Sequence, residues 1–256
     1  MTEPQVLGLF VVGLGLAVGS FLNVCIYRLP RGESVVSPPS RCPGCGTGLR
    51  WFDNVPVLGW VWLRGRCRSC QAPISAVYPL VEAGTALVFA LQYWQLGWQP
   101  LLAVRLLFAA AMIVLFVIDL QHRILPNVIT LPGVVVGLGV SLFLEPGWRS
   151  AAIGAAVGAG VLWLVGEAYF WLRGEEGMGM GDVKMLAMIG AFLGWQLMLV
   201  TLLLASFAGS LVGGAMMLFD RGTLKYALPL GTFLAAGALV ATHAGQALLD
   251  WYLAFY

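Results

Sequence analysis

The sequence predicts an all-α polytopic membrane protein of about eight transmembrane helices, with one long polar loop between helices 1 and 2. Three observations predict it. Hydrophobic residues make up 60% of the 256-residue chain and charged residues only 10%, against about 25% charged in soluble domains. A chain this apolar has no polar shell to turn toward water, so lipid is its solvent. The apolar residues also fall in runs of about 20, the length that crosses a hydrocarbon core, and the basic residues collect between alternate runs. The net charge of +2 is too small to argue for a nucleic-acid partner.

Leu7 to Ile26 is the first span. Met1 to Gln5 carries no basic segment, and no small-residue cleavage site precedes Arg28, so this run is expected to stay in the protein rather than act as a cleaved signal. Tyr78 to Gly97, Leu101 to Leu120, Val128 to Leu144 and Ala151 to Leu172 are the next four. Val183 to Phe219 is too long for one crossing and contains Gly194-Trp195, so it reads as two helices turning near that pair, the first short. Tyr226 to about Leu249 is the eighth. The organisation is thus a first transmembrane helix (1–26), a polar loop (27–77) and a membrane domain of about seven spans (78–256).

The polar loop holds Arg28, Arg31, Arg41, Arg50, Arg64, Arg66 and Arg68 against Glu33 and Asp53. An excess of Lys and Arg in a loop of this size places it in the cytoplasm. Alternation then puts three more segments inside: 121–127 with Arg123, 173–181 with Arg173, and 220–225 with its two bases. Both termini fall outside, and Asp119 and Asp182 fall at the same cytoplasmic face.

Four of the five cysteines form two CxxC pairs in that loop, Cys42-Pro-Gly-Cys45 and Cys67-Arg-Ser-Cys70. Two such knuckles at about this separation suit a tetrahedral four-thiolate zinc site, each tight turn supplying two ligands. A cytoplasmic address argues against disulfides, and a redox role would need a thioredoxin-like context that is not visible. So small a loop has few large apolar side chains, and metal would supply much of its folding energy. Cys25, inside the first apolar run, reads as a small core residue.

Asp119 ends the third span and Asp182 opens the sixth. An ionisable group at membrane depth is costly and is a functional candidate by default. Two carboxylates that meet can share a proton, one activating water while the other polarises a carbonyl. The alternative for each is a plain helix cap or an interfacial acid. Gly177, Gly179 and Gly181 at alternate positions before Asp182 suit an extended or closely approached backbone, which a simple cap does not require. That run is not a dinucleotide fingerprint, because its spacing differs and no strand precedes it. Lys184 either holds the local fold, acts on one of the carboxylates or snorkels to the interface. Glu82 and Glu167 read as helix-pairing residues, or as a polar rim.

The chain resembles the type IV prepilin peptidases, membrane aspartic peptidases of the GxGD class. The resemblance rests on Gly19-Ser20-Phe21-Leu22-Asn23-Val24 with Tyr27-Arg28-Leu29-Pro30, on Ser40 to Cys45, and on Asn54-Val55-Pro56. Leu63 to Cys67, Ile74-Ser75 and Tyr78 to Glu82 continue it. Asp119 with Leu125-Pro126, Gly177 to Asp182 with Lys184, and Pro229-Leu230-Gly231 complete it. One departure is Val77, where the family has Arg before Tyr-Pro. Methylation is the activity that this change would touch.

The resemblance implies a bifunctional enzyme of the bacterial inner membrane. It would cut the basic leader from type IV prepilins or type II pseudopilins after a glycine, then methylate the new N-terminal residue with S-adenosylmethionine. Asp119 and Asp182 would be catalytic, Pro126, Gly179, Gly181 and Lys184 would contact substrate, and Cys42, Cys45, Cys67 and Cys70 would bind structural zinc. A prepilin's cleavage site lies where its apolar helix meets the cytoplasm, the depth expected for the two acids, and the glycines before Asp182 would accept it as an extended strand. No Rossmann-type pattern marks the methyl-donor site, which is expected between the zinc loop and the membrane face. Two other classes are a proton- or cation-coupled transporter, which leaves the cysteine loop unexplained, and a methyltransferase without peptidase activity, which leaves the Gly177–Asp182 run idle.

Overall fold

The computed structural model describes residues 2–175, 178–219 and 229–255. Among these residues the regular structure is helical apart from two isolated β-bridges. The helices are α1 (Glu3–Arg28), the short α2 (Leu58–Trp62), α3 (Val77–Leu96), α4 (Pro100–His122), α5 (Asn127–Val140), α6 (Trp148–Arg173), α7 (Met180–Phe219) and α8 (Leu230–Leu253). Five are long and apolar enough to cross a membrane: α1, α4, α6, α7 and α8. The protein is therefore a multi-pass membrane protein. The 20-residue α3 is more polar, carrying Glu82, Gln92 and Gln95, and α5 has only 14 residues.

The eight expected spans fall on seven helices, because α7 carries two of them. It breaks at Gly194, whose φ of 77° and ψ of 172° are not helical. The left-handed half of the map is open to glycine without cost. The span expected over Val128 to Leu144 is shorter than its apolar run. Its helix ends at Val140, and residues 141–144 continue as turns. Fourteen residues rise about 21 Å, less than the ~30 Å hydrocarbon core. The eighth helix starts at Leu230, after the extended Pro229; Tyr226 lies outside the described residues, as do Gly177, Arg221 and Lys225.

The chain divides into two compact units inside α4, Met1–Val114 and Leu115–Tyr256. In the first, α1 and α3 pack antiparallel through small residues. A Cβ on Gly15 would lie 2.6 Å from Ala86 Cα, and one on Gly19 would lie 2.7 Å from Glu82 Cα, so these two positions admit no side chain. Lipid gives helices little hydrophobic reason to associate, and close backbone approach at small residues supplies the packing instead. Hydrogen bonds fix both ends of the pair, Asn23 Nδ2 donating to Tyr78 O and the Tyr93 hydroxyl to Pro4 O, each at 3.0 Å.

In the second unit α7 is the central helix, with Met185, Leu186, Met188 and Ile189 fully buried. Its contact with α6 is also backbone on backbone, a Cβ on Gly154 lying 2.6 Å from Gly190 O. This packing fixes the N-terminal end of α7, where Asp182 sits.

Candidate functional site

Asp119 lies one turn before the end of α4 and is buried, at 4% exposure. The chain leaves α4 through Arg123, in a left-handed conformation at φ 55°, and enters α5 after Pro126, whose extended conformation precedes the first helical residue. The start of α8 descends onto Asp119. Thr232, the third residue of α8, donates its backbone N–H to Asp119 Oδ2 at 2.6 Å and its hydroxyl to the same oxygen at 3.0 Å. The first N–H groups of a helix have no partner within it. Asp119 thus does for α8, from another helix, what an N-cap side chain does locally, and its charge faces the positive end of the helix dipole.

Gly231 makes this approach possible. A Cβ there would lie 3.0 Å from Asp119 Oδ2 and 2.9 Å from Leu125 Cδ1. Leu125 also meets the other acidic segment, since a Cβ on Gly181 would fall 3.0 Å from Leu125 Cβ. Asp182 follows Gly181 in the first turn of α7 and is half-buried, its backbone N–H donating to Gly179 O at 3.1 Å. One leucine therefore packs against both the glycine beside Asp119 and the glycine beside Asp182. Among the described residues nothing hydrogen-bonds the Asp182 carboxylate. One acid is pinned and the other has no such anchor among the described residues.

The remaining expected residues divide. Gly179 flanks Asp182, and a Cβ on it would stand 3.7 Å from Oδ2, an ordinary contact. Lys184 donates to Asn127 Oδ1 at 2.9 Å, tying the start of α7 to the start of α5 rather than pairing with either acid. Glu82 accepts the Val57 N–H at 2.7 Å, and Glu167 is exposed. Thr232 escaped the sequence reading, since a threonine in the first turn of an apolar helix carries no signal of its own.

The four loop cysteines come together in the first unit. Their sulfurs lie within 4.8 Å of one another, with Cys42 to Cys70 at 3.8 Å and Cys45 to Cys67 at 4.0 Å. A tetrahedron of thiolates about 2.3 Å from zinc has edges of about 3.8 Å, so the donor set fits a four-coordinate metal. The knuckles repeat each other. Cys42 donates to Thr47 O as Cys67 does to Ala72 O, both at 2.9 Å, and the bridges Arg41–Gly48 and Arg66–Pro73 close the two turns identically. Hydrogen bonding from Thr47 draws the Cys45 thiol down to about 6, and the backbone N–H groups of Cys70 and Ser69 lower that of Cys67. Arg68, inside the second knuckle, grips Asp53 through Nε at 3.1 Å to each oxygen and holds that carboxyl below its usual range. Cys25 stays apart in α1.

Residues 13–96 match the bacterial peptidase A24 N-terminal domain, and residues 106–214 match the type IV leader peptidase family. Several curated proteins named prepilin leader peptidase/N-methyltransferase are similar. The one from Aeromonas hydrophila is 40% identical over 93% of this chain and 91% of its own length. The one from Stutzerimonas stutzeri is 34% identical over 99% and 96%. That of Myxococcus xanthus is 43% identical over 82% of this chain and 63% of its own length. No solved structure matches the chain.

Proposed function

From a chain that belongs to the type IV leader peptidase family, we infer that Asp119 and Asp182 form the water-activating pair of a prepilin leader peptidase. The relatives' shared name carries two activities to this protein, removal of the leader from type IV prepilins or related pseudopilins and N-methylation of the residue exposed by the cut. The observation that carries the dyad is that the segments bearing the two acids, far apart in sequence, both pack against Leu125 through Gly231 and Gly181.

Their unequal surroundings divide the labour. Oδ2 of Asp119 already faces two donors and cannot itself present a proton, which leaves Oδ1 to take one from water. Asp182, with no donor on its carboxylate among the described residues, presents the proton to the scissile carbonyl oxygen. Water oxygen then bonds to the carbonyl carbon, giving a neutral diol. In the collapse Asp182 takes back a hydroxyl proton from the diol, the carbonyl re-forms, the C–N bond breaks, and the proton held by Asp119 passes to the leaving amine. Gly179 leaves open backbone for an extended substrate beside Asp182, Gly181 lies in α7 packed against Leu125, and Pro126 and Leu125 would form the facing wall.

The chain crosses the bacterial inner membrane about eight times in this reading, with α3, α5 and both parts of α7 as spans and the acids at the cytoplasmic face. The cysteine tetrad binds structural zinc through Cys42, Cys45, Cys67 and Cys70. S-adenosylmethionine would supply the methyl group to the amine that the cut exposes.

The test is cleavage of a purified prepilin in detergent by wild type, Asp119→Asn and Asp182→Asn, followed by mass. Loss of cleavage in both variants, with methylation of a pre-cleaved pilin retained, is expected. Cleavage by either variant at the wild-type rate would sink the dyad.

A further inference from the structure

The first unit encloses a cavity of about 520 Å3 between the cysteine loop and the facing ends of α1 and α3. We infer that this cavity binds the methyl donor, a nucleoside bearing a sulfonium and an amino-acid end, with the Glu82 carboxylate facing the donor's positive charge. The inference rests on the methyltransferase reading above and adds the place where that activity is built.

Glu82 carries the argument. It lines the cavity at 8% exposure and is ionisable, yet among the described residues no Lys or Arg pairs with it. Its one hydrogen-bond partner is the Val57 N–H, at 2.7 Å on Oε2. A buried carboxylate without a cation is expensive unless something supplies the charge. The other acid in this part of the unit that is largely shielded from solvent, Asp53, is already paired with Arg68. Beside Glu82, Asn23 spends its amide nitrogen on Tyr78 O and keeps its side-chain oxygen unbonded among the described residues. Two buried acceptors in the cavity wall, one of them charged, suit a ligand whose reactive end is cationic, and the buried Arg28 of the same wall is spent on Ser34 O and Pro38 O.

The rest of the lining suits the rest of that ligand. Trp60 and Tyr78 present aromatic surface to a purine or a sulfonium. Arg50 stands exposed at the rim, where a carboxylate would meet it. The volume lies within the roughly 300–1,000 Å3 of small-molecule sites. The cavity is lined wholly by residues 20–82, within the segment of the N-terminal domain match and outside the peptidase match.

The test uses full-length, zinc-loaded protein in detergent. Radiolabelled S-adenosylmethionine is crosslinked by ultraviolet light and the labelled peptides are mapped, and Kd is measured by equilibrium dialysis for wild type and Glu82→Gln. The glutamine keeps an oxygen for Val57, and bound zinc and the melting temperature report its folding. The expected results are label within residues 20–82 and a Kd at least tenfold weaker in the variant. Label confined to residues outside that segment, or an unchanged Kd in a folded variant, overturns the site while leaving methylation standing. If wild type neither binds the donor nor methylates a pre-cleaved pilin, the methyltransferase reading itself falls.

Discussion

Thr232 gives one oxygen of Asp119 two hydrogen bonds, from its backbone N–H at 2.6 Å and its hydroxyl at 3.0 Å. The backbone bond survives any substitution that keeps the helix, whereas the hydroxyl bond belongs to the side chain. Thr232→Val removes only that donor at nearly constant shape. A hydrogen bond to a charged group contributes about 1.5–3 kcal/mol, and each ~1.4 kcal/mol is tenfold in rate. Leader cleavage by Thr232→Val is therefore expected to lose about ten- to a hundredfold in kcat with little change in KM, and Thr232→Ser to recover most of it. A fall in melting temperature with kcat intact would make Thr232 a structural residue only.

The glycines around the two acids rank themselves by the space they leave. A Cβ on Gly179 meets Asp182 Oδ2 at 3.7 Å, whereas one on Gly181 meets Leu125 at 3.0 Å and one on Gly231 meets both Asp119 and Leu125 at about that distance. Alanine should then be tolerated at Gly179, slow cleavage at Gly181 and slow it most at Gly231, where the pinned carboxylate itself must move. Cleavage rates for the three variants, compared at equal protein stability, check the order. Equal effects at all three would mean that Leu125 and Asp119 can yield, and that the close fit has no part in catalysis.

The same residues mark what a sequence does and does not disclose. Asp119 and Asp182 stand out on their own, because an acid in an apolar run is costly. The approach of their two segments does not, since it depends on Leu125 packing against both Gly181 and Gly231. The break in α7 was legible from length and from Gly194. The early end of α5 was not, because hydropathy counts Leu142, Phe143 and Leu144 as span although their backbone turns. In the loop, cysteine spacing disclosed the tetrad, but the matching hydrogen bonds of the two knuckles are visible only in three dimensions.

Metal removal is expected to separate the two activities. The tetrad and the cavity lie in the first unit, whereas Asp119, Thr232 and Asp182 lie in the second. A strong chelator should extract about one zinc per chain, the stoichiometry of a four-thiolate site, and abolish methylation while lowering cleavage far less. Acid should release the metal too, since protons compete for thiolates. Metal analysis beside both assays decides it; a chain purified without zinc, yet methylating, would show that the cysteines act in another way.

The two knuckles are alike except where one uses glycine and the other does not. The residue after the second cysteine is left-handed in both, Gly46 at φ 71° and Gln71 at φ 59°. For a residue with a Cβ that conformation costs about 1–2 kcal/mol, and glycine escapes it. Gly46→Ala should therefore destabilise the first knuckle and Gln71→Gly relieve the second, less the larger entropy that glycine loses on folding. Where metal binding and folding are one event, the difference appears in metal affinity. About 1 kcal/mol corresponds to roughly a fivefold change in Kd, so competition against a chromophoric chelator should find zinc held several-fold more weakly by Gly46→Ala and somewhat more tightly by Gln71→Gly. Opposite signs at two equivalent positions are hard to obtain from any general loss of fold. If both variants weaken binding equally, the Gln71 side chain contributes something that its backbone strain conceals.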